Sequence, residues 1–418
     1  MERLPQHLAG AAAGDHGVPE VDERTVDLPT GVLTVSARPG PYALDALVGF
    51  AARANAKRGF LFVSKVLGKH WPVRPAVMRA LHASLAAGLP ADLPGPVVFI
   101  AMAETAVGLG QGVFEAWLER DTGRQAVFLH TTRYRVGTGP LIEFEEAHSH
   151  APRQFLHLPD DAVLADRFAR ARSIVLIDDE ASTGNTFVNL AAACRAVAPA
   201  IAHVHLVTIT NFMGEDGNRR LPDRFGVRLT HSAALEGAYA FAPGALQPGA
   251  APAQRYDATA DRGASGRFGR LGVDHALALP AALVAGLFAG PAGGADRVPS
   301  APVQPGQRVL VLGTGEFMHP AFLLGRALEA QGVDVMVQST TRSPILVGGA
   351  VRCAATFADN YGEGVANFLY NVAPGQYDHI LVCHETPPHA ALYALAGKLG
   401  ARLFHFTSET LVEEIPVR

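Results

Sequence analysis

Between Ser173 and Thr186 the chain reads Ser-Ile-Val-Leu-Ile-Asp-Asp-Glu-Ala-Ser-Thr-Gly-Asn-Thr. Ile174 to Ile177 is a wholly apolar, branched run, the pattern of a strand buried on both faces in a parallel sheet. Phe187, Leu190, Ala191, Cys194 and Ala198 then recur at i, i+3, i+4, i+7 and i+11, which predicts one apolar helix face, and Pro199 stops it. Strand, acidic turn, small-residue loop and helix in that order commit this part of the chain to an α/β fold.

The loop has a physical use. Its backbone N–H groups sit at a helix N-terminus, where unpaired donors and the positive end of the helix dipole favour a phosphate. Ala181, Ser182 and Gly184 keep bulk away from such a group, while Thr183 and Thr186 add hydroxyls. Asp178 and Asp179 lie just outside the same place. Adjacent carboxylates repel by about 1 kcal/mol even in water, and sugar hydroxyls or a divalent cation relieve that repulsion. A diol on one side and a phosphate on the other describe a ribose 5-phosphate.

An apolar strand, two acids and then Thr-Gly-x-Thr resembles the motif that binds 5-phosphoribosyl pyrophosphate (PRPP) in type I phosphoribosyltransferases. The resemblance implies that Asp178 and Asp179 are the catalytic acids, holding the ribose hydroxyls directly or through Mg²⁺. It assigns PRPP binding to these two with Glu180, Ala181, Ser182, Thr183, Gly184, Asn185 and Thr186. Glu180 departs from the pattern, since many members have an apolar residue there.

Length and composition agree with this class. The 418 residues suffice for two or three domains, and 49% hydrophobic with 18% charged residues suits a globular protein. A net charge of −4 without a basic run gives no footprint for nucleic acid. Cys194, Cys353 and Cys383 lie far apart in apolar contexts and read as reduced, buried and structural, with the cytoplasm as the default location. The Ala276–Ala295 stretch is uncharged but weakly apolar and contains Pro280 and Pro291, so a buried or capping helix is expected there rather than a membrane span.

Taken in order, residues 1–27 read as a leader and 28–289 as the first domain, followed by a Pro/Gly linker at 290–307 and a second domain at 308–418. Tyr42 to Ala54 is expected to be a helix, and Gly59 to Ser64 a strand. The following Lys65-Val66-Leu67-Gly68-Lys69-His70 could grip an anion or simply be solvated. Val97 to Ala101, a helix from Val107, and Val127 to His130 form a βαβ unit that ends in Thr131-Thr132-Arg133. The family resemblance implies that Ala103, Glu104 and Thr105 contact pyrophosphate, although the basic residue many members carry in that loop is missing. Lys65, Lys69 and Arg133 are the cations that would offset its charge.

Residues 137–152 stand where family members keep a loop that closes over PRPP; His148 and His150 also leave a metal reading open. Arg228 to Tyr239 is read as the small hood over the base. Arg262, Arg267 and Arg270 among glycines either bind phosphate or belong to a surface loop.

The second domain repeats the order of the first. Its strand at Val309–Leu312, helix at Pro320–Ala330 and strand running into Thr340-Thr341-Arg342 match the earlier βαβ unit in spacing. It reads as a degenerate copy without paired acids, with an unrelated Rossmann-like domain as the alternative. Thr341-Arg342-Ser343-Pro344 resembles the tetrad that names the TRSP domain, found C-terminal to phosphoribosyltransferase domains in bacterial tellurite-resistance (Ter) stress operons. The full-length resemblance implies an orotate-phosphoribosyltransferase-like enzyme that uses PRPP, Mg²⁺ and a nitrogenous base to make a nucleoside-like metabolite. A homodimer and other Ter-operon proteins are the partners considered, with Thr341, Arg342 and Ser343 as second-domain site candidates. Two rivals stay open: a non-catalytic PRPP- or nucleotide-binding regulator, and an enzyme working through His319, His384 or Glu385.

Overall fold

The computed structural model describes residues 21–53, 58–120, 123–145, 153–244, 265, 267–289 and 301–417. His148 and His150, residues 1–20, most of the 243–264 excursion and linker residues 290–300 lie outside them.

Seven strands make the first sheet, in the order Asp22–Leu28, Gly31–Ala37, Arg228–Pro243, His203–Asn211, Ser173–Ala181, Val97–Ala101, Ala126–His130. The last five run parallel, and the N-terminal pair joins antiparallel. Val97–Ala101 and Ala126–His130 are buried throughout, as strands covered on both faces must be. Ser173 to Ile177 is buried too, and exposure begins at Asp178, so the acids emerge at the carboxyl edge of the sheet. The predicted helix forms at Asn185–Val197, with Phe187, Leu190, Ala191 and Cys194 buried.

A second sheet follows the order Asp334–Ser339, Arg308–Gly313, His379–His384, Arg402–Phe406, Val412–Ile415, parallel except for its last strand. Counted along the chain, both cores place their strands second, first, third, fourth. Each also carries an antiparallel hairpin between its second and third strands: Leu141–Glu145 with Arg153–His157, and Ala354–Ala358 with Ala366–Tyr370. Registers agree as well. Ala101 pairs with His130 and Ile177, and Gly313 pairs with Ser339 and Cys383. Glu104 therefore corresponds to Glu316, Thr131-Thr132-Arg133 to Thr340-Thr341-Arg342, and Asp178-Asp179 to His384-Glu385. A copy accounts for order, hairpin and register together; an unrelated α/β domain would share only the first.

The two halves share one apolar core. Val77, Met78, Leu81 and Phe114 of the first belong to the same buried cluster as Phe322, Leu324, Val335 and Val337 of the second. At its margin Glu115 takes an ion pair from Arg326 at 2.7 Å. Val303, within the predicted linker, is buried, and its N–H donates to the Leu287 carbonyl of the Ala281–Ala289 helix. Among the described residues no helix is long and apolar enough to cross a membrane.

Several expectations are corrected. Tyr42–Ala54 holds only one helical turn, Leu44–Leu47, and then the strand Val48–Ala52, which pairs with Phe60–Ser64. Tertiary contact decides this: Ala51 and Val63 pack on Ile345, Val351 and Tyr370 of the second half, and Leu346 N–H donates to the Ala52 carbonyl. Arg228–Pro243 is not a hood but a long sheet strand, paired with His203–Asn211 up to Glu236 and with Gly31–Ala37 from Gly237 onward. Residues 22–27, read as leader, form an edge strand. Cys353 is only half-buried, while Cys194 and Cys383 are buried.

Candidate active site

A cavity of about 200 Å³ opens at the carboxyl edge of the first sheet. Three adjacent strands feed it, and each ends in a loop that lines it: 102–105 after Val97–Ala101, Thr131 and Arg133 after Ala126–His130, and 178–187 after Ser173–Ala181.

The phosphate-type loop is built as its residues require. Gly184 caps the Asn185–Val197 helix at φ 70°, a left-handed conformation, and a Cβ there would lie 2.6 Å from Leu221 Cδ1. Arg224 fixes the loop from outside, donating to the Thr183 carbonyl at 3.1 Å and to Asn185 Oδ1 at 2.7 Å. Gly184→Val should therefore cost about 1–3 kcal/mol of stability, through left-handed strain and a clash with Leu221, as read by thermal unfolding.

Asp178 Oδ1 accepts from the Asp179 N–H at 2.9 Å. Burial, with Glu180 adding repulsion, pushes the Asp179 carboxyl up to about 6. Glu180 itself is held by Arg58 at 2.7 Å, whose guanidinium lies 4.5 Å above the Phe60 ring. The unusual acid thus has its own counter-ion on the Val48–Ser64 hairpin. A site built on two carboxylates, one of them under-compensated, suits Mg²⁺, which takes one or two protein carboxylates together with substrate oxygens and water. No group of three or more potential metal ligands occurs among the described residues.

Opposite stands the 102–105 loop, with a cis Ala103–Glu104 peptide bond. Ala103 N–H donates to Thr131 Oγ1 at 2.8 Å, and Gln154 Nε2 donates to the Ala103 carbonyl at 2.9 Å, so the hairpin above the cavity pins the loop. Burial alone would raise Glu104, but Lys69 at 2.7 Å and the more distant Arg342 hold it down at about 2.

Of the predicted residues, Asp178 to Gly184, Thr186, Ala103, Glu104, Thr105 and Arg133 line the cavity, and so do Thr341, Arg342 and Ser343 of the second half. Asn185 supports the loop without lining the cavity. Lys69 is buried behind Glu104 and also donates to the Gly315 carbonyl at 2.7 Å. Lys65 does not reach the site, because its ammonium donates to the Asp45 carbonyl at 2.7 Å.

Sequence reasoning missed Arg53, Arg58, Leu61, Phe144, Gln154 and Phe187, which also line it. Phe187, the first apolar residue of the predicted helix, and Phe144, within the 137–152 stretch expected to close over PRPP, carried a signal.

The remaining candidates lie elsewhere. His319 is buried beside Glu115 and Arg326, and burial pushes it down to about 3. His384 stacks on His405 at 5.1 Å. Arg270 is neither a phosphate grip nor a surface residue: it is buried between Glu316 at 2.9 Å and Glu385 at 2.7 Å.

Residues 47–238 match the family described as phosphoribosyl transferase, and residues 266–399 match the TRSP domain, C-terminal to it. The chain belongs to this two-domain phosphoribosyl transferase family. Arg270 therefore falls inside the TRSP match, together with the two carboxylates it joins. No curated protein matches the chain.

Similar solved structures include the adenine phosphoribosyltransferase of Trypanosoma brucei, in complex with AMP, pyrophosphate and ribose-5-phosphate. It is 12% identical, with 45% of this chain and 76% of that one covered and a TM-score of 0.32. The Leishmania donovani enzyme is 14% identical over 46% and 77%, TM-score 0.32. That of Rhodothermus marinus is 14% identical over 46% and 95%, TM-score 0.30. The phosphoribosyl transferase domain is an α/β domain with a mostly parallel sheet, and the TRSP domain adds a second α/β sheet.

Proposed function

We propose that the protein transfers the 5-phosphoribosyl group of PRPP to a nitrogenous base and releases pyrophosphate. The observation that carries this reading is the shared cavity: twin aspartates at a sheet edge, a glycine-capped hydroxyl loop on one side and the Ala103–Thr105 loop on the other. The 181–186 loop holds the 5-phosphate, and Asp178 and Asp179 orient the ribose hydroxyls. C1 then faces the Glu104 wall, where its bond to pyrophosphate breaks as the base nitrogen donates its lone pair.

Positive charge grows on the sugar ring in the transition state, so anchoring both phosphate groups and excluding water are the protein's main tasks. Phe144 and Gln154, on the hairpin over the cavity, serve the second task. Asp178 and Asp179 would hold Mg²⁺, which would supply neutralisation of charge on the departing pyrophosphate. Family resemblance supports extending the reading to a nucleoside-like metabolite made in the cytoplasm during a tellurite-type stress response.

Mass spectrometry of products after incubation with PRPP, Mg²⁺ and a panel of bases tests it. A base-dependent nucleotide product supports transfer, whereas PRPP binding without pyrophosphate release with any base would favour a regulator. The pH dependence is a second check. Asp179 must lose its proton before it can hold hydroxyls or metal, and its carboxyl is raised to about 6. PRPP affinity should be steady at pH 7–8 and fall as pH drops through 6. Asp179→Asn should lack that part of the fall, so the difference between the two proteins removes titration of PRPP itself.

A further inference from the structure

We infer that the TRSP domain completes the phosphoribosyl site in cis, with Arg342 as a ligand for the pyrophosphate half of the substrate. This rests on the phosphoribosyl transfer proposed above, and goes beyond it by giving the second domain a part in binding.

The charge on the pyrophosphate wall limits what can bind against it. Glu104 is ionised there, and Lys69, its near partner, is consumed by it at 2.7 Å and buried behind it. A polyanion placed against that wall needs further cations, and its own loop offers none. Arg133 is one, from the first domain. Arg342 is the other: it lines the same cavity from the TRSP domain and stands at the register position equivalent to Arg133.

Its side chain is 7% exposed and held from three sides. Glu363 lies 2.8 Å from Nη1, Glu104 Oε2 lies 3.9 Å from Nε, and Nη2 donates to the Tyr134 hydroxyl. The Tyr134 ring lies 5.1 Å from the guanidinium. A planar guanidinium fixed in this way is held in one orientation at the cavity wall, placed for charge-assisted contact with an anion that enters it.

The contact is reciprocal. Glu316, the TRSP counterpart of Glu104, accepts from Thr132 Oγ1 at 2.7 Å and from the Arg133 N–H at 2.9 Å. Each domain thus sends its loop glutamate to the Thr-Thr-Arg of the other. The place in the TRSP domain that corresponds to the cavity is filled: Arg270 joins Glu316 and Glu385, and Tyr361 donates to Glu385 at 2.7 Å. Two equivalent arginines from two copies therefore serve one site.

The test uses the full chain with Mg²⁺ and calorimetry against pyrophosphate and ribose 5-phosphate separately. Arg342→Gln should weaken pyrophosphate about ten- to a hundredfold, the loss of charge-assisted hydrogen bonds, and leave ribose 5-phosphate unchanged. Arg342→Lys, which keeps the charge but not the fork, should fall between, and it decides the matter if the glutamine variant does not fold. Unchanged pyrophosphate affinity in a folded variant would overturn the inference, and so would an equal loss of both ligands, which a merely structural role would give. A wild-type protein that binds ribose 5-phosphate but not pyrophosphate overturns it as well; one that binds neither overturns the proposed function instead.

Discussion

Replacing Asp178 and Asp179 together by asparagine is expected to lower PRPP turnover about a thousandfold or more without unfolding the protein. In the proposed role each carboxylate would make charge-assisted contacts to a hydroxyl or metal worth about 2 kcal/mol, and two such losses reach about three orders of magnitude. Asparagine preserves shape and one acceptor, so the Asp179 N–H contact survives. Stability should move the other way. A carboxyl raised to about 6 is one whose ionised form the fold disfavours, so neutral asparagine at 179 should raise the melting temperature slightly at pH 7–8. Pyrophosphate release and thermal unfolding on the same samples check both halves. Near-normal release would remove the acids from the centre of the site.

Much of this was legible because local chemistry and global fold agree where the motif lies. The Ile174–Ile177 strand, the Phe187–Cys194 helix face and Gly184 each demand one conformation, and the structure adopts it. The second domain was legible through repetition, since a similar spacing between strand and Thr-Thr-Arg, 32 positions from Ile100 to Thr132 against 29 from Leu312 to Thr341, survives even where the acids are lost. What failed was decided by distant partners. Val48–Ala52 is short and ambiguous alone, and becomes a strand because its hairpin packs on Ile345 and Tyr370. Arg228 to Tyr239 reads as a hood, yet Arg228–Pro243 is a strand whose backbone pairs first with His203–Asn211 and then with Gly31–Ala37, the latter far away in sequence. Arg53 and Arg58 carried no pattern at all. Lys65 and Lys69 look equivalent along the chain, but one meets a backbone carbonyl and the other a buried glutamate.

Arg270→Ala is expected to cost more stability than any single change in the cavity. The guanidinium is 1% exposed and lies between the carboxylates of Glu316 and Glu385, both almost fully buried. With that charge in place, Glu316 stays ionised despite its burial. Removing one member of a buried ionic group strands its partners, at a cost of about 3–5 kcal/mol. Two carboxylates would then face each other across a cavity without a counter-ion between them. Because the domains share one hydrophobic core, the loss should appear as a lower midpoint of a single unfolding transition rather than as early melting of the TRSP domain.

The effect should also reach the site, since Glu316 holds the Thr132 hydroxyl and the Arg133 N–H, and Arg133 lines the cavity. Adding Glu316→Gln and Glu385→Gln to Arg270→Ala removes the stranded charges and should recover most of the stability. Pyrophosphate affinity should recover less, because the grip on Arg133 is then neutral. Chemical denaturation of the four proteins checks the order: wild type, triple variant, then Arg270→Ala lowest, with the midpoint of Arg270→Met just above it. A loss below about 1 kcal/mol for Arg270→Ala would mean that water reaches these carboxylates, and that the interface is looser than a shared core allows.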